Sequence, residues 1–297
     1  MTESSADLPM ERVKWVDSMV VPVIAVLALV VGYPIAYTLV LSTQDYNLVG
    51  TEAARFIGGD NFRKLASDPI FWQALRNTAF YTFGSVAVST TLGLAFALLT
   101  ERFAGRRGRI ARLLLLTPWA VPFVVVAFLF RYMYLQNGGA LNAVLLSMRV
   151  IDAPISWLNT SMLAMPAVMV ANIWAMTPFF FLLLSAALAG IPSEVIESAR
   201  VDRANAFSMV FRIKLPLLRN ALLIGALLMI IANFNDFAKI WAMTQGGPGY
   251  TTTTLVVYVY RQAFESFSFG YASAIGVCWL LLLLVFAVAY LRVLRLS

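Results

Sequence analysis

Histidine is absent from this 297-residue chain, and cysteine occurs once, at Cys278. The first absence removes imidazole as a metal ligand and as an acid or base near neutral pH. The second removes any internal disulfide. Charge is scarce too: Asp, Glu, Lys and Arg make up 12% of the residues, against 61% hydrophobic. No Gly-x-x-x-x-Gly-Lys-[Ser/Thr] run occurs, nor even a Gly-Lys pair, so a phosphate-cradling loop of that kind is missing. No catalytic residue and no metal site is expected.

What the chain has instead is long apolar runs and a mean hydropathy of +0.80. Uncharged runs of about 18 residues or more cross a bilayer as helices, which satisfy their own backbone hydrogen bonds in lipid. The expected fold is an all-α integral membrane protein with six transmembrane helices. They are expected over about 19–41, 78–100, 113–134, 162–188, 217–243 and 271–294, forming one membrane domain over 19–294. Residues 1–18 and 295–297 are the tails, and the first apolar run is too long for a cleavable signal core. Pro22 and Pro34 should kink the first helix, and Pro118 and Pro122 lie in the third.

The net charge of +7 raises nucleic acid as a partner, but in a membrane protein the placement of Lys and Arg matters more than their sum. Fourteen of the 22 bases fall in the two tails, the loop after the second run and the loop before the fifth. The other eight lie elsewhere, and four of those are balanced by four acids between Asp45 and Arg76. The excess marks the cytoplasmic side, so both termini are expected to be cytoplasmic, with lipid rather than nucleic acid as the surrounding partner. In the first outer connection Phe62, Leu65, Phe71, Trp72 and Leu75 have the spacing of a short surface helix.

One cytoplasmic loop, 192–216, is unusual. "IPSEVIESARVDRANAF" opens with Pro192 and Ser193 and has acids in its first turn, a helix start. Glu197, Val201 and Ala204 share a face, Ser198, Ala199 and Ala204 are small enough to admit another surface, and Phe207 and Phe211 are apolar. A loop that only set topology would need the bases but not this combination, so a docking surface is expected.

Polar groups inside the spans are the candidates for a substrate path. Asn172, Ala175, Met176 and Phe179 repeat at helical spacing in the fourth span, and Asn233, Asp236 and Phe237 in the fifth. Asn172 and Asn233 fall roughly 15–20 Å from the nearer helix ends, close to mid-membrane. Amides with aromatic faces beside them suit a sugar, although buried Asn also ties membrane helices together. An unpaired Asp236 would disfavour an anionic cargo, unless Lys239 neutralises it.

The docking segment resembles the E-A-A loop of importer permeases of the ATP-binding-cassette class. Glu197-Ser198-Ala199 stands for the E-A-A, and Asp202-Arg203-Ala204 for the usual D-G-A. Ile213-Lys214-Leu215-Pro216 closes the pattern at the family's spacing. Arg203 stands where the family has a glycine, which tolerates a left-handed turn that arginine resists. "MTQGGPGYTTTTLVVYVYRQAF" is similar to an outer loop of sugar and glycerol-phosphate permeases. "FGYASAIGVCWLLLLL", "YPIAYTLVLS" and "IGGDNFRKL…DPIFWQALRNT" resemble further parts of them. The resemblance implies a type I importer permease in a bacterial plasma membrane that takes up a sugar by alternating access. It implies that Glu197, Ser198, Ala199, Asp202, Arg203, Ala204 and Phe207 couple to a separate ATPase. It also implies that the two asparagine-bearing faces contact substrate. The implied partners are a second, similar permease, an ATPase dimer and an external solute-binding protein. ATP and Mg would sit on the ATPase, with no cofactor on this chain. A glycerol-3-phosphate or polyol permease, or an ion-coupled carrier, is the alternative.

Overall fold

The computed structural model describes residues 20–49, 54–103 and 105–295, the last three by backbone alone. The expected N-terminal tail and the last two residues lie outside the described residues. The first helix, α1 (Val20–Ser42), is long and apolar enough to cross a membrane. It widens into a π-helical turn at Ala28–Gly32, just ahead of Pro34. Proline has no N–H to give to the preceding turn, and a local widening absorbs the gap without a sharp kink. Nearly all of α1 is exposed in the isolated chain, which leaves its apolar surface for lipid or another subunit.

A short antiparallel ribbon of β1 (Gln44–Asp45) and β2 (Arg55–Phe56) leads to α2 (Asp60–Ala66). The surface helix expected across this region is therefore split: Phe62 and Leu65 lie on α2, while Phe71, Trp72 and Leu75 open the next element. That element, α3 (Pro69–Glu101), starts at Pro69 rather than near Thr78. Asp68 caps it, its carboxylate accepting from the Ile70 amide at 2.8 Å, and Pro69 occupies the first turn, where no N–H is needed. The Tyr258 and Tyr271 hydroxyls also donate to Asp68, each at 2.5 Å. Burial pushes this carboxyl up, but the two tyrosines and the Ile70 and Phe71 amides outweigh it and hold it below its ordinary value.

α3 lies along α7 (Ser161–Ala189) in close contact. Thr78, Thr82, Ser85 and Ser89 form a buried small-residue stripe on α3, and Gly93 lies below them. A Cβ at Gly93 would fall 2.5 Å from the Phe180 Cβ, so the two backbones meet at the distance only glycine allows. Between these helices in sequence, the single span expected over 113–134 is not straight. Helix α4 (Gly105–Leu116) runs through a 3₁₀ turn to Ala120, and α5 (Phe123–Met133) leaves it at 95°. Pro118 and Pro122 bracket the bend, and each removes a helical donor there. A short α6 (Ala140–Ser147) follows.

Beyond α7 come α8 (Ser193–Val201) and α9 (Ala206–Leu217), which meets α10 (Arg219–Phe234) at 66°. The expected fifth span is broken a second time, at Asn235–Phe237, before α11 (Ala238–Thr244). The loop after α11 is tightly held. The Asn77 side chain donates to the Tyr250 and Thr253 carbonyls, and the Thr244 and Thr252 hydroxyls lie 2.7 Å apart. Gly246 has φ +87°, and a Cβ there would meet Thr253 Oγ1 at 2.6 Å. Helices α12 (Leu255–Tyr260) and α13 (Phe269–Arg295) complete the described residues. Among the described residues, four helices are long and apolar enough to span a bilayer, or up to six spans if each bent pair counts as one.

Candidate functional site

Two places carry the sequence's candidate residues: the α8–α9 elbow and the break between α10 and α11.

At the elbow, α8 ends in a turn whose bonds identify it. The Ala204 amide donates to the Ala199 carbonyl and the Arg203 amide to the Arg200 carbonyl, both at 3.0 Å. This pair of bonds is a Schellman motif, which needs one left-handed residue just past the helix. Arg203 is that residue, with φ 57°. The turn at which the resemblance implies a glycine is thus made with arginine, at a strain of about 1–2 kcal/mol. Asn205 starts α9, its side chain accepting from the Ser208 amide at 2.8 Å. A π-helical turn at Met209–Lys214 precedes Pro216, as on α1.

Glu197, Ser198, Asp202, Arg203 and Phe207 are exposed, Ala204 is half-buried and Ala199 is buried under the helix. Val201 is 82% exposed and Phe207 66%, and the Phe207 and Phe211 rings pack tilted at 4.4 Å between centroids. The result is an acid on a helix beside an uncovered apolar ledge. The ledge is braced to the membrane helices: Lys214 Nζ lies 2.6 Å from Glu101 at the end of α3.

At the break, a cavity of about 500 Å³ opens beside α7 and α10. Ala175, Met176 and Phe179 line it from α7, and Asp236 and Phe237 from the break, as the helical spacing suggested. Trp119 and Phe123, at the α4–α5 bend, supply walls that the sequence reading missed. Their orientation depends on that 95° turn, which proline alone does not specify. Phe237 stacks on Trp241 at 5.4 Å and packs on Tyr260 at 4.8 Å.

The two asparagines sit elsewhere. Asn172 and Asn233 are buried between α7 and α10, behind the cavity wall. The Asn172 amide donates to Asn233 Oδ1 at 2.7 Å, and Asn233 donates to the Met229 carbonyl at 2.9 Å. Each amide faces the other, not the cavity, because both helices turn that side toward their mutual contact.

Asp236 is not an unpaired charge. Lys239 Nζ lies 2.8 Å from Asp236 Oδ2, the Tyr81 hydroxyl donates to the same oxygen, and all three residues are buried. The lysine also sits 4.4 Å from the centre of the Phe123 ring. An acid and a base three residues apart within an apolar run was a readable signal. Tyr81, 155 residues from Asp236, left none.

This arrangement pairs an exposed helical elbow with a polar break deep among apolar helices. The family model described as "Binding-protein-dependent transport system inner membrane component" matches residues 89–296. The chain belongs to this family. Its members are the membrane-embedded permease subunits of ATP-binding-cassette transporters, and the nucleotide is hydrolysed by a separate subunit. The trehalose/maltose transport system permease protein MalF of Thermococcus litoralis is 34% identical over 93% of this chain and 92% of its own length. The sulfoquinovosyl glycerol transport system permease protein SmoG of Agrobacterium fabrum is 32% identical over 93% and 89%. Among solved structures, a chain of a bacterial alginate transporter in complex with an alginate pentasaccharide-bound periplasmic protein superposes with a TM-score of 0.82. That match has 21% identity and covers 95% of this chain and 94% of the other, a likeness of fold. The sequence resemblance to importer permeases therefore holds for this inner-membrane permease.

Proposed function

We propose that this permease takes up a carbohydrate by alternating access, through the cavity at the α10–α11 break. In this reading the chain crosses the membrane six times with both ends in the cytoplasm. It pairs with a second, similar permease, an ATPase dimer and an external solute-binding protein. The α8–α9 elbow, through Glu197, Ser198, Asp202, Arg203, Ala204 and Phe207 with Ala199 packed beneath them, docks in the ATPase. When ATP closes the ATPase dimer, α8 moves with it. The rigid Schellman turn and α9 pass that movement to α10, whose far end borders the cavity.

The single observation that carries the reading is mechanical. The exposed α8–α9 elbow is joined to the helix that ends at the cavity with only Leu218 between α9 and α10, and Lys214–Glu101 couples it to α3. The carbohydrate class is supported by the aromatic walls at Trp119, Phe123, Phe179 and Phe237, which suit the C–H faces of a sugar ring. It is further supported by the sugars that the relatives' names give as their cargo. In this reading Ala175, Met176, Phe179, Asp236 and Phe237 face the cargo, and Asn172 with Asn233 bolts the wall from behind.

The test is ATP-driven sugar uptake by the reconstituted complex, comparing the wild type with Glu197→Ala. Site-to-site coupling is typically 1–3 kcal/mol, so a drop of about tenfold or more in uptake is expected, with membrane insertion unchanged. Unaltered uptake in this variant, or uptake by the chain alone on an ion gradient, would make the protein a secondary carrier.

A further inference from the structure

The buried charges at the break have a consequence for what the cavity accepts. Asp236 and Lys239 both line it, and their side chains are only 7% and 3% exposed. They interrupt an apolar run in which neither charge is tolerable alone, since stripping an ion of water costs several kcal/mol. One carboxylate oxygen, Oδ2, is held by both Lys239 Nζ and the Tyr81 hydroxyl. The other, Oδ1, has only a long contact of 3.4 Å to the Lys239 amide, so it keeps acceptor capacity. Three elements converge on the pair: α3 through Tyr81, the α4–α5 bend through Phe123, and the α10–α11 break itself. A helix break frees backbone groups and a degree of rotation, and side chains tied to neighbouring helices remove that freedom.

We infer that Lys239 and Tyr81 are positioning residues that hold Asp236 in a charge-neutral wall, and that this neutrality tunes the cavity to uncharged polyhydroxylated cargo. The inference rests on the reading of the cavity as the transport path. Lys239 cancels the charge of Asp236 through Oδ2 and leaves Oδ1 as an acceptor, and Tyr81 fixes the carboxylate so that Oδ1 keeps one posture. Removing Lys239 leaves a negative wall, and neutralising Asp236 leaves a positive one. Charged cargo would then be attracted or repelled by an unscreened unit charge a few ångströms away.

The field inside the cavity can be measured without knowing the cargo. In the assembled complex, with Cys278→Ser, a cysteine placed by Ala232→Cys lines the cavity. Its modification rates with a cationic and an anionic methanethiosulfonate reagent of similar size report the local charge. With the native pair the two rates should differ only by their ratio on a free thiol. Lys239→Met should favour the cationic reagent by about tenfold or more, and Asp236→Asn the anionic one by a similar factor. The double variant D236N/K239M, like the charge-swapped D236K/K239E, should return the ratio to the native value. If either single variant fails to assemble, the double should restore assembly, because it removes the lone buried charge. A reagent ratio that ignores all four variants, or a double that fails as its singles do, overturns the inference. Tyr81→Phe should lower uptake of radiolabelled trehalose or maltose through a raised KM, with the reagent ratio unchanged; an unaltered KM removes Tyr81 from the assignment. A cysteine at 232 that neither reagent reaches in any nucleotide state overturns the transport-path reading itself, a result distinct from all of these.

Discussion

The asparagine bolt between α7 and α10 makes a quantitative prediction. Asn172 has no exposed surface, and its one side-chain bond goes to Asn233. Asn233→Leu leaves the Asn172 amide buried with nothing to bond, at a cost of about 1–3 kcal/mol. Asn172→Leu costs less, about 0.5–1.5 kcal/mol, because Asn233 keeps its bond to the Met229 carbonyl. The double substitution removes both polar groups and puts apolar side chains of similar size in their place, so it should lie close to the wild type. The expected coupling between the two sites, the shortfall of the double variant below the sum of the singles, is then about 1.5–4.5 kcal/mol. At about 2–4 °C per kcal/mol, a cost near 2 kcal/mol lowers the Tm of the Asn233→Leu protein by roughly 4–8 °C. Thermal unfolding of the detergent-solubilised complex, followed by tryptophan fluorescence, measures it. Additive shifts, with the double variant at the sum of the singles, would refute the bolt. Singles with native Tm but no uptake would instead put the asparagines in contact with the cargo.

Arg203→Gly should relieve the left-handed strain after α8 and raise stability by about 0.5–1 kcal/mol, read as a higher Tm with the Schellman turn intact. Asp68→Ala should cost about 1 kcal/mol at neutral pH through the lost α3 cap. Because the folded carboxyl titrates below its ordinary value, the charged Asp68 contributes its full stabilisation above that value and loses it as pH falls through the lowered one. The gap in Tm between wild type and Asp68→Ala should therefore narrow only in strong acid. A gap already closed at pH 5 would contradict the assignment.

Much of the architecture was legible because it rests on local patterns. Uncharged runs announce helices by length alone, and α7 and α13 lie within a few residues of where composition put them. The α8 segment was legible for another reason: a proline start, first-turn acids and the closing Leu-Pro sit within one short stretch. Where the sequence misplaced an element, a capping or proline effect decided the matter. Asp68 and Pro69 begin α3 a full two turns early, and Pro118 with Pro122 folds one expected span into two limbs.

The candidate site divides in the same way. Helical spacing put Ala175, Met176 and Phe179 on one face and Asp236 with Phe237 on another, and both line the cavity, since residues three and four apart share a face whatever the tertiary packing. Which of two faces a buried amide turns toward is a different question, and Asn172 and Asn233 were assigned to the cavity when they face each other.

The amino-acid order by itself determined that this protein lives in a membrane, how its bases are spread along the chain, and where a short charged helix interrupts the apolar runs. Hydrophobicity, charge and helical period act over a few neighbouring residues, so they can be read without a structure. Only the tertiary structure decided that Tyr81 meets Asp236, that Phe123 covers Lys239, and that the asparagines close on one another. Those contacts join elements far apart in the chain, and they exist only once the helices have chosen their partners and their bends.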